Sequence, residues 1–328
     1  LHLLTQTHRV AFLWRLKDGN NIVSFRPQGP VFSAGYSSDG RFIVTGGRSV
    51  RIFDGDESKI TYARLLHKIE YPHAGIITSV EFSPADKSFR FLTTSYDGTA
   101  KIWEWLPDRK FARQIYELKG HDGPVRFGTW SPDGSKVLTV GYDALPRIWN
   151  IADGEVDKPL VLEISSAVAA TSTSEETKTD NKSKRDFDQL CAAFSWDGQF
   201  VAVGGRDAES DESIGWIWNL APADGKGPEL YATIRGHGLG GINSVAFLPN
   251  DDRLLTGGAD GTARLWDWQK SAVIANNGKV VEADFLISLV RPNKQPTTHR
   301  GPVTSVRVTR TGNMVTASAD GTVLIWPK

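Results

Sequence analysis

The stretch TTSYDGTAKIW, residues 93–103, contains the pattern that decides the fold of this chain. Thr93 is followed four residues later by Asp97, and six residues after that by Trp103. The same spacing occurs three more times, each copy preceded by a His, which gives the sets His73–Thr93–Asp97–Trp103, His121–Thr139–Asp143–Trp149, His237–Thr256–Asp260–Trp266 and His299–Thr316–Asp320–Trp326. A constellation that recurs at fixed spacing indicates a fold built from internal repeats.

The sequence within each copy predicts antiparallel β-strands. TGGADGTARLW (256–266) and TASADGTVLIW (316–326) are near-identical to the first stretch, whereas TVGYDALPRIW (139–149) has lost the Gly-Thr pair. Asp-Gly between two alternating apolar runs is a strong hairpin signal. One more strand is predicted upstream of each hairpin, as in SVEFSPAD (79–86), and one downstream, as in RQIYELKGH (113–121). Each repeat therefore predicts four strands.

These repeats resemble the WD40-repeat β-propeller family. Their length fits the roughly 40–45 residues of one propeller blade. Gly120-His121, Gly236-His237 and Trp266-Asp267 match the signature dipeptides of the family, and strings such as DGTARLW are similar to those of bacterial WD40 proteins. The resemblance covers nearly the whole chain and implies an all-β propeller of four-stranded antiparallel blades.

The sequence favours seven blades, with six as the alternative. Seven candidate third strands end in an aromatic residue, at Trp14, Phe53, Trp103, Trp149, Trp218, Trp266 and Trp326. Two of these blades are degenerate, because Phe53 replaces Trp in one and Val203 replaces Thr in the other. In the six-bladed alternative, NIVSF (21–25) closes the last blade and residues 1–16 form an extra hairpin.

The ends of the chain predict an incomplete terminal blade. Residues 1–7, 10–14 and 21–25 fit the second, third and fourth strands of a blade, and the sequence stops after a third strand at Lys328. The first residue is Leu, and the only Met is Met314. We expect residues 1–328 to be a single propeller domain excerpted from a longer protein.

Two long connections interrupt the repeats. Residues 165–186 are rich in Ser, Thr and charge and lack aromatic residues, so a disordered insertion is predicted there. The apolar run FLISLV (285–290) in the second connection is predicted to supply an outer strand.

Composition excludes several classes of protein. Lys and Arg total 38, as do Asp and Glu, so no net basic field favours nucleic acid as a partner. No apolar run approaches the roughly 18 residues of a membrane span. Cys191 is the single Cys and is predicted to pack in a first strand. A lone Cys favours a reducing, cytoplasmic location.

The repeated His, Thr, Asp and Trp side chains could suggest a catalytic relay. An enzyme needs one such site, however, and in the resembled family these side chains form a hydrogen-bond network inside each blade. Sequence motifs for nucleotide, zinc or hydrolase sites are absent, and His2, His8 and His67 lack partners at ligand spacing. We therefore expect a non-catalytic domain without metal or cofactor.

Binding is the remaining role. In the resembled family, the face with the hairpins between the second and third strands is the common docking surface. The positions that would point there and are predicted to bind a partner are Tyr96, Tyr142, Arg126, Arg206, Arg48, Ile76, Thr78 and Asn243. Tyr and Arg are frequent interface anchors. Tyr96, Tyr142 and Arg126 come from adjacent repeats and are the leading candidates.

The sequence thus predicts a protein-interaction scaffold or sensor that binds a peptide or protein and regulates an attached or associated effector. Similar bacterial propellers often adjoin kinase, NTPase or protease-like domains, which are possible further domains of the same polypeptide. The alternatives are an enzyme with a site in the central channel and a lipid or phosphopeptide reader. The lipid alternative is weakened because FRPQG (25–29) lacks the second Arg of an FRRG motif.

Overall fold

The structure is a computed structural model that describes residues 2–6, 11–15, 20–25, 30–56, 64–85, 88–151, 156, 158–163, 187–207, 210–222, 225, 227–268, 281–282, 284–288 and 299–327. The predicted disordered insertion at 165–186 lies outside these residues. The chain forms two compact units, Leu1–Gly141 with Ile148–Leu160, and Tyr142–Arg147 with Val161–Lys328.

The described residues of the first half of the chain form four sheets. Sheet 1 consists of β1 (His2–Gln6), β2 (Ala11–Arg15) and β3 (Asn20–Phe25), and sheet 2 of β4 (Val31–Tyr36), β5 (Phe42–Gly47), β6 (Val50–Asp54) and β7 (Leu65–Ile69). Sheet 3 consists of β8 (Ile77–Phe82), β9 (Arg90–Ser95), β10 (Thr99–Leu106) and β11 (Phe111–Lys119), with a 3-10 turn at Pro107–Arg109. Sheet 4 consists of β12 (Val125–Trp130), β13 (Lys136–Gly141), β14 (Arg147–Asn150) and β15 (Leu160–Val161).

In the part of the second half that the structure describes, three sheets are present. Sheet 5 includes β16 (Phe187–Phe194), β17 (Phe200–Asp207), β18 (Glu212–Asn219) and β19 (Glu229–Leu239). Sheet 6 consists of β20 (Ile242–Phe247), β21 (Arg253–Gly258), β22 (Ala263–Asp267) and β24 (Asp284–Ser288), and β23 (Val281–Glu282) adds a parallel strand to the outer edge of sheet 5. Sheet 7 consists of β25 (Val303–Val308), β26 (Met314–Ser318) and β27 (Val323–Trp326). The predicted outer strand at 285–290 is confirmed over the residues of β24, which pairs with β22.

The fold is an all-β propeller, as predicted. From Val31 to Trp326 six sheets follow one another along the chain, which matches the six-bladed alternative, and β1–β3 precede them as a three-stranded sheet. In that sheet β3 pairs with β2, so NIVSF is the outer strand of the first sheet rather than of the last.

The pairing register identifies the strands that each terminal sheet contains. Pairs of third and fourth strands have a β-bulge beside their aromatic residue, as at Ile102/Trp103, and β2 and β3 have the same bulge at Leu13/Trp14. Pairs of first and second strands have a bulge near their start, as at Ile77/Ser79, and β25 and β26 have it at Val303/Ser305. In the described residues, sheet 1 therefore contains second to fourth strands and sheet 7 contains first to third strands.

The Asp-Gly turns form because their geometry suits glycine. In the hairpin between β9 and β10, Gly98 has a φ of 83°, a conformation that side chains with a Cβ rarely adopt. The amide of Gly98 donates to the Ser95 carbonyl, and the amide of Thr99 donates to Oδ1 of Asp97 at 2.9 Å. These bonds fix the hairpin end of the sheet, at which the candidate site lies.

The core lies between the faces of neighbouring sheets. Between sheets 2 and 3 it contains buried side chains from both, including Val44, Ile52, Val80, Phe91 and Trp105. An equivalent cluster between sheets 5 and 6 contains Cys191, Ile217, Phe247 and Trp266. Cys191 lies in a first strand, as predicted, and is buried. Full burial of each large apolar side chain contributes about 1.5–3 kcal/mol, so the stacked sheets hold the hairpins in place.

Candidate functional site

Sheet 3 shows how the repeated polar side chains are connected. The indole N–H of Trp103 donates to Oγ1 of Thr93 at 2.9 Å, and Nε2 of His73 lies 2.8 Å from the same oxygen. Nδ1 of His73 lies 3.1 Å from Oδ2 of Asp97. A carboxylate can only accept, so Nδ1 carries the proton and Nε2 accepts the Thr93 hydroxyl. Every polar atom of this chain of side chains thus has a partner.

The other three sets are arranged similarly. Indole N–H to Thr distances are 2.9 Å for Trp149–Thr139, 2.7 Å for Trp266–Thr256 and 3.0 Å for Trp326–Thr316. Nε2 to Thr distances are 2.7 Å for His121–Thr139, 2.6 Å for His237–Thr256 and 2.8 Å for His299–Thr316. Nδ1 lies 3.2 Å from the carboxylate in His237–Asp260 and 3.8 Å in His299–Asp320. Each predicted Trp and His therefore meets at its Thr hydroxyl, and the Asp joins this arrangement in sheets 3, 6 and 7.

The Thr of the Asp-Gly-Thr turn is a further member that the sequence analysis did not single out. The hydroxyl of Thr99 donates to Asp97 at 2.7 Å and lies 3.0 Å from Nδ1 of His73. Thr262 and Thr322 make the corresponding bonds to Asp260 and Asp320, at 2.7 and 2.6 Å. The Gly-Thr pair that recurs in three repeats was the sequence feature that could have identified this Thr. In sheet 7 the network passes from His299 to Asp320 through Thr322.

In sheet 4, which lacks this Thr, an Arg donates to the turn Asp instead. Its turn has Leu145 where the other repeats have Thr, and Nη1 of Arg147 donates to Oδ2 of Asp143 at 2.6 Å. Both side chains of this ion pair are buried. Alternation along the third strand would direct Arg147 away from the core, but its side chain is only 8% exposed. Its guanidinium also donates to the Leu145 carbonyl, which holds it in the turn.

The networks have a consistent electrostatic effect. Burial lowers the pKa of His73 below its usual range, although Asp97 opposes this shift, and burial lowers the pKa of His237 in the same way. Burial alone would raise the pKa of Asp97, but the hydrogen bond from Thr99, the nearby His73 and two backbone amides outweigh it and lower the pKa. In sheets 3 and 6, neutral imidazole beside ionised carboxylate is therefore the state of the network near pH 7.

The degenerate sheets lack parts of this network. In sheet 5 the strand register places Val203 opposite Trp216, just as Thr93 lies opposite Lys101 in sheet 3. The indole N–H of Trp218, which would donate to a Thr there, is buried and has no hydrogen-bond partner in the described part of the chain. In sheet 2, the side chain of Phe53 has no N–H group that could donate to the Thr45 hydroxyl. Among the side chains that the structure describes, the Trp–Thr hydrogen bond is present in sheets 3, 4, 6 and 7.

The hairpin end of the first unit brings several predicted partner-binding residues together. Ile77 pairs with Ser95 at the start of β8, which places Ile76 beside the β9–β10 hairpin, and the amide of Tyr96 donates to the Ile76 carbonyl at 3.0 Å. Tyr96 is 47% exposed and Ile76 is 37% exposed. Arg48 is exposed in the β5–β6 hairpin, and Arg126 is half-buried at the start of β12. We call Arg48, Ile76, Tyr96 and Arg126 the hairpin face.

The other predicted residues are less accessible or already occupied. Thr78 is buried, and its hydroxyl donates to the Val125 carbonyl at 2.7 Å, so it is not available to a partner. The side-chain amide of Asn243 donates to the Val303 carbonyl, and Arg206 is paired with Asp188 and Asp211 at 2.7 and 3.1 Å. Tyr142 belongs to the second unit and is half-buried. Alternation along a strand does not reveal such lateral bonds, which is why the sequence grouped these residues with the hairpin face.

Two general features bear on the kind of site. Among the described residues, no group of three or more His, Cys, Asp or Glu could hold a metal ion. The same residues contain no helix that is long and apolar enough to cross a membrane.

Comparison with known proteins identifies the repeats. A family model of the WD domain, G-beta repeat (WD40), matches residues 64–104, 112–150, 228–267 and 291–327. The chain thus contains four WD40 repeats, and the resemblance predicted from the sequence is confirmed. The family-model matches include all four sets of His, Thr, Asp and Trp.

Several curated proteins are similar to parts of the chain. A WD repeat-containing protein WDS homolog of Arabidopsis thaliana is 37% identical over 82 residues, which is 25% of this chain and 15% of that protein. The nuclear distribution protein PAC1 of Coccidioides posadasii is 32% identical over 131 residues, or 35% of this chain and 27% of that protein. A guanine nucleotide-binding protein subunit beta of Zea mays is 26% identical over 215 residues, or 64% of this chain and 45% of that protein. The matches therefore span less than half of each of these relatives.

Proposed function

We propose that this chain is a non-catalytic protein-interaction scaffold that binds a peptide or protein through its hairpin face. The observation that supports this most directly is the exposed pair Ile76 and Tyr96, fixed by a backbone hydrogen bond above a fully connected buried network. A rigid, preformed apolar surface binds an extended segment at little ordering cost. The similarity to WD-repeat proteins supports the same class of function.

The polar networks support a structural role rather than catalysis. Thr93, Thr139, Thr256 and Thr316 are all fully buried. A catalytic hydroxyl must reach its substrate, and these hydroxyls are enclosed by the indole and imidazole rings that bond to them. We propose that the scaffold acts in the cytoplasm and regulates an effector, either attached to the same polypeptide or associated with it.

Selection from a displayed library of short random peptides tests the binding function without assuming a partner. The whole chain is immobilised, enriched peptides are synthesised, and their dissociation constants are measured for wild type and for single Tyr96→Ala and Ile76→Ala variants of unchanged melting temperature. We expect one family of peptides whose affinity falls in both variants. Leu239→Ala is a matched control, because Leu239 is 65% exposed but lies outside the hairpin face.

Absence of any enriched peptide would reject peptide binding. Enriched peptides that bind all variants equally would place the docking surface elsewhere on the chain. Tyr142→Ala, made in the same series, tests whether the predicted contribution of the second unit exists.

A further inference from the structure

No ion pair or hydrogen bond connects the guanidinium groups of Arg48 and Arg126, at the hairpin face, to the described residues. Arg41 and Arg113, by contrast, have carboxylate partners, Asp39 at 2.5 Å and Glu104 at 2.6 Å. An arginine that neutralises no internal charge leaves its positive potential directed toward solvent. The two arginines belong to different sheets, so their joint presence at one end has to be argued from the packing.

The packing places Arg48 on one side of the apolar pair. A Cβ added at Gly46 would lie 2.7 Å from Cγ2 of Ile77, so the end of β5 runs directly against the start of β8. Arg48 follows Gly46 by two residues, in the hairpin that β5 enters. Ile76 precedes Ile77. The β5–β6 hairpin that carries Arg48 therefore lies next to the start of β8, where Ile76 is located.

The packing places Arg126 on the other side. The hydroxyl of Thr78, in β8, donates to the carbonyl of Val125, which precedes Arg126 in β12. A Cβ added at Gly128 would lie 2.7 Å from Cγ2 of Thr94, two residues before Tyr96. The start of β12 thus follows the β9–β10 hairpin across the face. The order across three sheets is Arg48, then Ile76 with Tyr96, then Arg126.

Nearby carboxylates leave this positive potential largely in place. Glu70 is paired with Lys68 at 2.5 Å. Asp97 accepts hydrogen bonds from Thr99 and the Ala74 amide, and its side chain is 14% exposed. Asp122 is exposed in the loop before β12, four residues ahead of Arg126. Its removal therefore offers a test in the opposite direction.

We propose that the hairpin face binds an acidic peptide segment, with one apolar side chain on Ile76 and Tyr96 and flanking carboxylates on Arg48 and Arg126. This proposal rests on the proposed scaffold function and specifies the chemistry of its partner. Guanidinium groups pair with carboxylates in bidentate geometry, and tyrosine is a rigid anchor at interfaces. The neutral overall charge of the chain, 38 positive against 38 negative, makes the pair a local feature rather than a general basic surface.

Three synthetic peptides that differ in charge alone form the probe. Each has a central Leu, flanked by Glu in the first peptide, by Gln in the second and by Lys in the third. Binding to the whole chain is measured by fluorescence polarisation at low and at physiological salt. We expect the Glu peptide to bind most tightly and to lose affinity as salt is added, because exposed charges are screened beyond a Debye length of about 8–10 Å.

Charge variants locate the effect. Arg48→Gln and Arg126→Gln should each weaken binding of the Glu peptide about two- to fivefold, with little change for the Gln peptide. Arg48→Lys should retain part of the affinity, and Asp122→Asn should strengthen binding. Arg113→Gln is the control, since Arg113 is exposed on the outer strand β11.

The outcomes separate this proposal from the proposed function. If the Gln peptide binds as tightly as the Glu peptide and Tyr96→Ala weakens both, the acidic partner is wrong and the scaffold function stands. If Arg48→Gln and Arg126→Gln leave the affinity for the Glu peptide unchanged, these two arginines do not bind its carboxylates and the proposal fails. If none of the three binds and no library peptide does, both proposals fail. Binding to phosphatidylserine vesicles without peptide binding would identify a lipid surface instead and overturn the peptide proposal.

Discussion

The guanidinium of Arg147 donates to the carboxylate of Asp143 over 2.6 Å, and both side chains are almost fully buried. In sheets 3, 6 and 7 a Thr hydroxyl bonds the equivalent Asp. In sheet 4, which lacks this Thr, the equivalent carboxylate is therefore paired with a charged guanidinium instead of a neutral hydroxyl. A buried charge that loses its partner costs more free energy than a lost neutral hydrogen bond, so this substitution changes how much the turn contributes to stability.

Removing the Arg147 guanidinium should destabilise the protein strongly. Arg147→Met leaves the Asp143 carboxylate buried without its guanidinium, and we expect the free energy of unfolding to fall by about 3 kcal/mol. Urea denaturation measures this change. Arg264→Met is the matched control, because Arg264 pairs with Asp260 at the same spacing but is more exposed, so a loss of about 1 kcal/mol is expected. Equal losses in the two variants would contradict the buried-charge argument, as would failure of Asp143→Asn to restore stability to Arg147→Met.

Loss of Asp97 should be less costly. Asp97→Ala removes the acceptor for Nδ1 of His73 and for Thr99, and we expect a loss of about 1–3 kcal/mol in the free energy of unfolding. Asp108→Ala, an exposed Asp in the 3-10 turn, should change stability by only a few tenths of a kcal/mol. Should Asp97→Ala match that control, the network does not stabilise sheet 3.

Restoring the missing Thr in sheet 5 should stabilise it. Val203→Thr would supply a hydroxyl acceptor to the buried indole N–H of Trp218, with a gain of about 1 kcal/mol. The same substitution at the neighbouring buried Val201 gives no indole bond and should destabilise, because a Val to Thr change buries a hydroxyl. Thermal unfolding of the two variants against wild type decides the matter. Destabilisation by Val203→Thr to the same extent as by Val201→Thr would show that the Trp218 indole does not use the hydroxyl.

The protein should lose stability in mild acid. The folded-state pKa values of His73 and His237 are lowered by burial, while the unfolded value is about 6.5. Between these values the unfolded chain binds more protons, so the free energy of unfolding falls as pH falls below about 6.5. The lowered pKa of Asp97 adds a further loss as pH drops through about 4, the usual range of an unfolded Asp.

Urea titrations across this pH range measure the slope of stability against pH. Combined His73→Gln and His237→Gln substitutions should lower stability near pH 7 and flatten the slope around pH 6. Burial also lowers the pKa of His67, so part of the pH dependence of stability should remain in that variant. An unchanged slope would assign the acid sensitivity to other groups.

Much of the propeller could be predicted because each repeat encodes its own hairpin. Thr93, Asp97 and Trp103 recur at fixed spacing, and strands of fixed register convert this spacing directly into contact. The outer strand β24 could be predicted from a short apolar run because the repeat pattern required a fourth strand to pair with β22. The added strand β23 has no comparable signal, since two residues are too short for periodicity to show.

The sequence by itself determined the repeat, the all-β class and the polar sets, because these depend on residues that are close along the chain or joined by regular hairpins. Only the tertiary structure decided which candidate residues are accessible. Thr78 is buried because the next sheet presents the Val125 carbonyl to it, and Arg147 is buried because its own turn lacks a Thr. Arg48 and Arg126 have no such internal partner, because neighbouring sheets place no acceptor of the described residues against them. Accessibility is set by contacts between sheets, and those contacts are not encoded within a single repeat.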